Sequence, residues 1–120
     1  GINLSDAITI DNSSGNYLAK VNASQIVNKS VIITSNYTID GTCSFFWVNA
    51  TDVNINITVN ASLFADYEFT FFRIDASANT ISLYGAAAET LNGASLPQTI
   101  LASQYDVLKI KSNTTNIFII

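Results

Sequence analysis

With no histidine and a single cysteine, Cys43, acid-base chemistry in this 120-residue chain would fall to nine carboxylates: Asp6, Asp11, Asp40, Asp52, Asp66, Asp75, Asp106, Glu68 and Glu89. The missing histidine removes the usual Ser-His-Asp relay and the commonest metal ligand, and one thiol cannot build a thiolate zinc site. Most of the carboxylates stand at turns or strand ends, where an Asp that bonds nearby backbone has its ordinary role. A glycosidase needs two carboxyl groups about 5 to 10 Å apart, a distance that spacing in an all-β chain does not set. The loop from Asp11 to Gly15 is rich in oxygens but lacks EF-hand spacing and a closing Glu, so it reads as a turn. Nor does a glycine-rich phosphate loop lead into a helix. Neither an enzyme nor a cofactor or metal is expected, and a hydrolase using two of these acids is the third-ranked reading.

A different chemistry is written more densely. Asn-x-Ser/Thr sequons begin at Asn3, Asn12, Asn22, Asn28, Asn36, Asn49, Asn56, Asn60 and Asn113, against roughly three for a shuffled chain of this composition. Polar strand faces and turns written in Asn, Ser and Thr would give the same letters. The excess still favours an extracellular or virion-surface glycoprotein, with Asn12 and Asn113, in loops, as the candidate sites. Trp47 and the tyrosines Tyr17, Tyr37, Tyr67, Tyr84 and Tyr105 could stack on sugars from loops, but they fall mostly in strand runs and are expected in the core.

The elements that would position these groups are strands. Val53 to Val59 alternates apolar with Asn and Thr, as a half-buried strand does. Two alternating runs, Tyr67 to Ile74 and Asn79 to Tyr84, flank the short segment Asp75 to Ala78, the signature of an antiparallel hairpin. In the first of them, Tyr67, Phe69 and Phe71 share a face that Phe72 and Ile74 do not, which calls for a bulge or for cover on both faces. Further runs lie at 7–10, 17–21, 31–34, 37–39, 45–48, 99–101, 105–111 and 116–120, and residues 60–66 read as a connection with room for one helical turn. Four apolar residues, Ile117 to Ile120, would be a liability at an open edge, so that strand is expected between other strands or against a partner.

Composition bounds the rest. Residues 1–120 make one all-β domain, expected as an antiparallel β-sandwich or jelly-roll-like small barrel. Opening on Gly1 with no Met anywhere, it is expected to be a processed chain or part of a longer one. Cys43 lies in an apolar run and is expected to pack as a small hydrophobe. The net charge of −4 and five scattered basic residues leave no footprint for nucleic acid, and no apolar stretch is long enough for membrane insertion as a helix.

At Phe72-Arg-Ile74-Asp75-Ala-Ser-Ala-Asn79-Thr-Ile81-Ser-Leu83, Glu89 to Gly93, Tyr105 to Ile110 and the closing Asn116 to Ile120, the chain resembles the C-terminal β-domain of viral fibre and head-fibre proteins. The likeness spans residues 31–120. Leu91-Asn92 stands where isoleucine and aspartate are usual, and Phe118 where tryptophan is common. The resemblance implies a homotrimeric domain on the virion surface that trimerises a fibre or contacts a host glycan or protein receptor. Apolar runs at Phe71-Phe72 and at Ile117, Phe118 and Ile120 are the expected subunit interface. The alternative is a secreted, monomeric carbohydrate-binding or adhesin β-sandwich.

Overall fold

Alternating side chains turn residues 29–120, those described by a computed structural model, into eleven strands with no helix among them. The runs expected at 7–10 and 17–21, with Asp6, Asp11, Asn12 and Tyr17, lie outside the described residues. A seven-stranded sheet runs in the order β1 (Ser30–Ile33), β3 (Phe45–Val48), β5 (Glu68–Arg73), β10 (Val107–Ser112), β11 (Ile117–Ile119), β7 (Thr90–Leu91), β8 (Ala94–Ser95). A four-stranded sheet runs β2 (Tyr37–Thr38), β4 (Ile55–Val59), β6 (Ile81–Gly85), β9 (Gln98–Ile100).

From β1 to β6 the chain crosses from one sheet to the other with every strand. It thereby winds in coils, each strand pairing in parallel with the one two before it. Ser30 faces Phe45 and Phe45 faces Thr70 in the large sheet, while Ile55 faces Ile81 in the small one. Such stacking buries each coil against its neighbour. Afterwards β9 and β10 return antiparallel to β6 and β5 and close the structure.

Both sheets are therefore mixed, not antiparallel as the alternation suggested. The expected hairpin does not form, because β5 and β6 belong to different sheets. No bulge interrupts β5. Its register with β3 runs unbroken from Phe45 against Thr70 to Val48 against Arg73, so Phe69, Phe71 and Arg73 point inward and Glu68, Thr70 and Phe72 outward. Residues 61–66 form turns, and the side chain of Asn60 just before them accepts the Leu63 amide.

One core fills the space between the sheets. Val31, Phe46, Phe71 and Leu108 line up across four strands of the large sheet, and Ile55, Ile81 and Ile100 across three of the small one. Phe46 sits at the centre, stacked on Phe71 at 5.1 Å and tilted against Tyr37 of β2 at 5.6 Å between ring centroids. Cys43 is half-buried against this cluster.

A buried arginine makes the corner that sends the chain from β5 to β6. Arg73, 2% exposed, faces inward in line with Ile33 and Val48. It donates to Asp75 and to the carbonyls of Ser77, Asn79 and Leu101. Asp75 in turn accepts the Ala50 amide of the previous coil, so the corner is bolted both to its neighbour and to the loop after β9. Buried charges survive when every donor and acceptor is used in this way.

Asparagine amides serve the same end where the ladders break. Asn36 accepts the Asn56 amide, Asn54 that of Thr80, Asn116 that of Thr90, and Asn92 that of Ile119. The Asn-rich composition thus has a structural use at coil corners.

Candidate functional site

The outer faces of the two sheets differ in kind. The small sheet shows Thr38, Asn56, Thr58, Ser82 and Thr99, with Tyr84 the one large ring among them. On the large sheet the same alternation that buries Phe46 and Phe71 sends their neighbours outward. Strand register then sets Ile32, Trp47, Phe72 and Val107 side by side across β1, β3, β5 and β10. Ile32 is 61% exposed, Trp47 38% and Val107 57%, with Phe72 half-buried between them. Phe45 packs against Trp47 at 4.7 Å, Trp47 meets Phe72 edge-on at 5.6 Å, and Tyr105 extends the row at 6.1 Å from Phe72. Tyr105 reaches this place from a left-handed turn, φ +70°, whose amide donates to the Arg73 carbonyl.

Trp47, Tyr84 and Tyr105 are therefore surface residues, where core packing was expected; Tyr37 and Tyr67 do pack on the core. The error has a simple origin: a strand run says that a ring points to one face, not which face is the core. Contiguous exposed apolar rows are uncommon on monomers and mark contact surfaces, and Trp and Tyr are the usual anchors of such surfaces.

The five residues expected at a subunit interface do not stay together. Phe71 and Ile117 are 0% exposed, enclosed in the chain's own core, and present nothing to a partner. Phe72 belongs to the aromatic row. Phe118 and Ile120 are exposed near the other end of the strands, Phe118 in register with Lys111, which faces Glu68. Glu68 and Phe72 are four residues apart on β5, about 13 Å. The terminal strand β11 lies between β10 and β7, with no edge of its own.

The carboxylates are mostly committed to backbone. Asp40 accepts both the amide and the hydroxyl of Thr42, which hold it below the usual carboxylate range, and Asp106 accepts the Ser103 amide. Burial alone would raise Asp75, but hydrogen bonds from Arg73, from Ser77 and from the Ala50 amide outweigh it and hold the carboxyl well below its ordinary value. Glu89 repeats the pattern. Its burial is outweighed by the amides of Ala61 and Ala87, 3.0 and 2.6 Å away, so it too ionises more readily than usual. Among the described residues no three of His, Cys, Asp and Glu come together in a metal-binding group. Asp52 and Asp66 are different: both are exposed and their carboxylates make no hydrogen bond or ion pair among the described residues, and Asp66 sits at φ +69°.

Of the two candidate glycosylation sites, Asn12 lies outside the described residues. Asn113 is exposed in the turn between β10 and β11, its side-chain oxygen accepting the amides of Thr115 and Asn116 at 2.8 and 2.7 Å. The amide nitrogen has no hydrogen-bond partner among the described residues. Comparison of the chain with protein-family models, with curated proteins and with solved structures finds no match.

Proposed function

We propose that this chain is a non-enzymatic virion-surface module that assembles as a homotrimer through the outer face of its large sheet and contributes to host attachment. The observation that carries the reading is the row Ile32, Trp47, Phe72 and Val107, apolar and exposed across four adjacent strands while the opposite sheet is covered in hydroxyls and amides. Three copies around an axis would hide that row from water without leaving an open end. The likeness of residues 31–120 to viral fibre domains, and the sequon excess, support the placement on a virion.

Sedimentation equilibrium at micromolar concentration tests it. The native chain is expected as a trimer, and a Trp47→Ser, Phe72→Ser double variant as a monomer with the same far-ultraviolet circular dichroism. A monomeric or dimeric native chain overturns the trimer. A second reading, a monomeric carbohydrate-binding or adhesin module, is favoured by the exposure of the Phe45, Trp47 and Tyr105 rings, and a monomer in this experiment would move the conclusion to it.

A further inference from the structure

The stack of coils is finished at one end and not at the other. Beyond β6 the chain turns back, and β9 and β10 lie antiparallel against the last coil. At the start, β1 and β2 pair in parallel with β3 and β4 and have no neighbour on their other side among the described residues. The carbonyls of Lys29 and Ile33 accept the Phe45 and Asn49 amides, so by the strand's period of two the amides of Ser30 and Ile32 face away from β3. Such an edge is a template for another strand, and natural edges are blunted by charge, proline or a bulge. Ser30-Val31-Ile32-Ile33 carries none of these, and its register with β3 is unbroken.

The residues that fit this edge lie upstream in the same chain. Coil partners stand 15 residues apart at Ser30 and Phe45 and 26 apart at Ile55 and Ile81, so residues 1–28 are long enough for one more coil. A corner pattern sets its register. Asn36, just before Tyr37, accepts the Asn56 amide, and Asn54, just before Ile55, accepts the Thr80 amide. The other Asn-Tyr pair in the sequence is Asn16-Tyr17, 20 residues ahead of Asn36-Tyr37. The same 20 residues separate Tyr37 from its partner Ile57, and Asn36 from the Asn56 amide that it holds. One coil earlier, the equivalent amide is that of Asn36 itself, which has no partner among the described residues.

We infer that the edge formed by β1 and β2 is filled by residues 7–21 of the same chain, wound as one further coil, with 17–21 in parallel beside β2 and 7–10 in parallel beside β1. In this register Asn16 accepts the Asn36 amide, and Tyr17 and Ala19 continue the inward line of Tyr37 and Ile39, both packed on the core. Ile8 and Ile10 continue the inward line of Val31 and Ile33, while Ala7 and Thr9 fall outward beside Ser30 and Ile32. A slip of one residue would turn both isoleucines to water. Strand addition of this kind is held by main-chain hydrogen bonds, with alternate side chains setting the register. The inference needs neither the trimer nor the virion.

Two measurements on the full chain test it. In native-state hydrogen exchange the Ile32 and Asn36 amides are expected to exchange about a hundredfold or more slower than in a free peptide. Asn16→Ala should speed the Asn36 amide about tenfold and leave the Asn56 amide, held by Asn36, unchanged. The second measurement is diamide oxidation of an Ala7→Cys, Ser30→Cys variant in a Cys43→Ala background. Neighbouring strands lie about 4.8 Å apart, within reach of a disulfide, so a bond within one chain is expected. Thr9→Cys with Ser30→Cys, two residues out of register, should give far less. Free-peptide exchange at either amide, an Asn36 amide indifferent to Asn16→Ala, or equal yields from the two cysteine pairs overturns the inference. So does the absence of a bond within one chain, and a bond formed only between chains would hand the edge to a second copy.

Discussion

Arg73 Nη2 stands 3.0 Å from Asp75 Oδ2, an ion pair closed across two residues, with the two side chains 2% and 4% exposed. Neither partner could be buried alone. The pair holds because Asp75 also accepts the Ala50 and Ser77 amides and the Ser77 hydroxyl, while Arg73 reaches three carbonyls. One charged corner thereby joins two successive coils and the loop after β9.

Removing one member should cost far more than the pair's net worth, since the other is left buried and unpaired. Asp75→Ala is expected to lower the unfolding free energy by about 3 to 5 kcal/mol, read from urea denaturation. Lys111→Ala breaks the exposed contact with Glu68, and should cost less than about 1 kcal/mol. Equal costs for the two would show that the corner does not hold the coils.

Acid should act through the same corner. Asp75 and Glu89 both ionise more readily in the folded chain than when unfolded, where their values are about 3.9 and 4.3. As pH falls, the unfolded state therefore takes up protons first. The stability these two groups supply is complete above the unfolded values and is lost as pH drops through the lower folded ones. Urea midpoints should stay nearly level from about pH 7 to 5 and fall steadily below about pH 4. Asp75→Asn should start lower and lose less on acidification; a midpoint that rises in acid would contradict the linkage.

Two glycines at positive φ make a controlled comparison. Gly93, φ +86°, closes the two-residue turn between β7 and β8, and an added Cβ there would meet nothing within 4 Å. Gly41, φ +84°, would bring the same atom to 2.8 Å from Phe64 Cε1, a residue of the core. Gly93→Ala should cost about 1 to 2 kcal/mol from backbone strain. Gly41→Ala should cost that plus about 1 to 3 kcal/mol of overpacking, measured by the same denaturation.

Much of the strand content was legible because period two is a local signal: Ile55, Ile57 and Val59 are buried and Asn56 and Thr58 are not, as their alternation predicts. Pairing was not legible. A strand facing the next strand in a hairpin and a strand facing one two elements back carry the same alternation. Nor do the coils repeat at a fixed distance. Ser30 and Phe45, partners across β1 and β3, are 15 residues apart, and Phe45 and Thr70, across β3 and β5, are 25 apart. The aromatic row was missed for a related reason. Trp47 and Phe72 are far apart in the chain and only coil stacking makes them neighbours, while Arg73, although charged, takes the inward position beside Phe72.

The neighbours Phe46 and Trp47 put the register itself to the test. Phe46 is 1% exposed and touches the rings of Tyr37, Phe69 and Phe71; Trp47 points the other way and is 38% exposed. Phe46→Ala empties the centre of the core, and should cost about 3 to 5 kcal/mol. Trp47→Ala, at low protein concentration where self-association plays no part, removes a larger side chain yet should cost clearly less, because much of its surface is already wet in the folded chain. A shift of β3 by one residue would exchange the two faces and reverse that order. Differential unfolding of the two variants therefore tests whether the apolar row lies outside, the geometry on which any contact through that face depends.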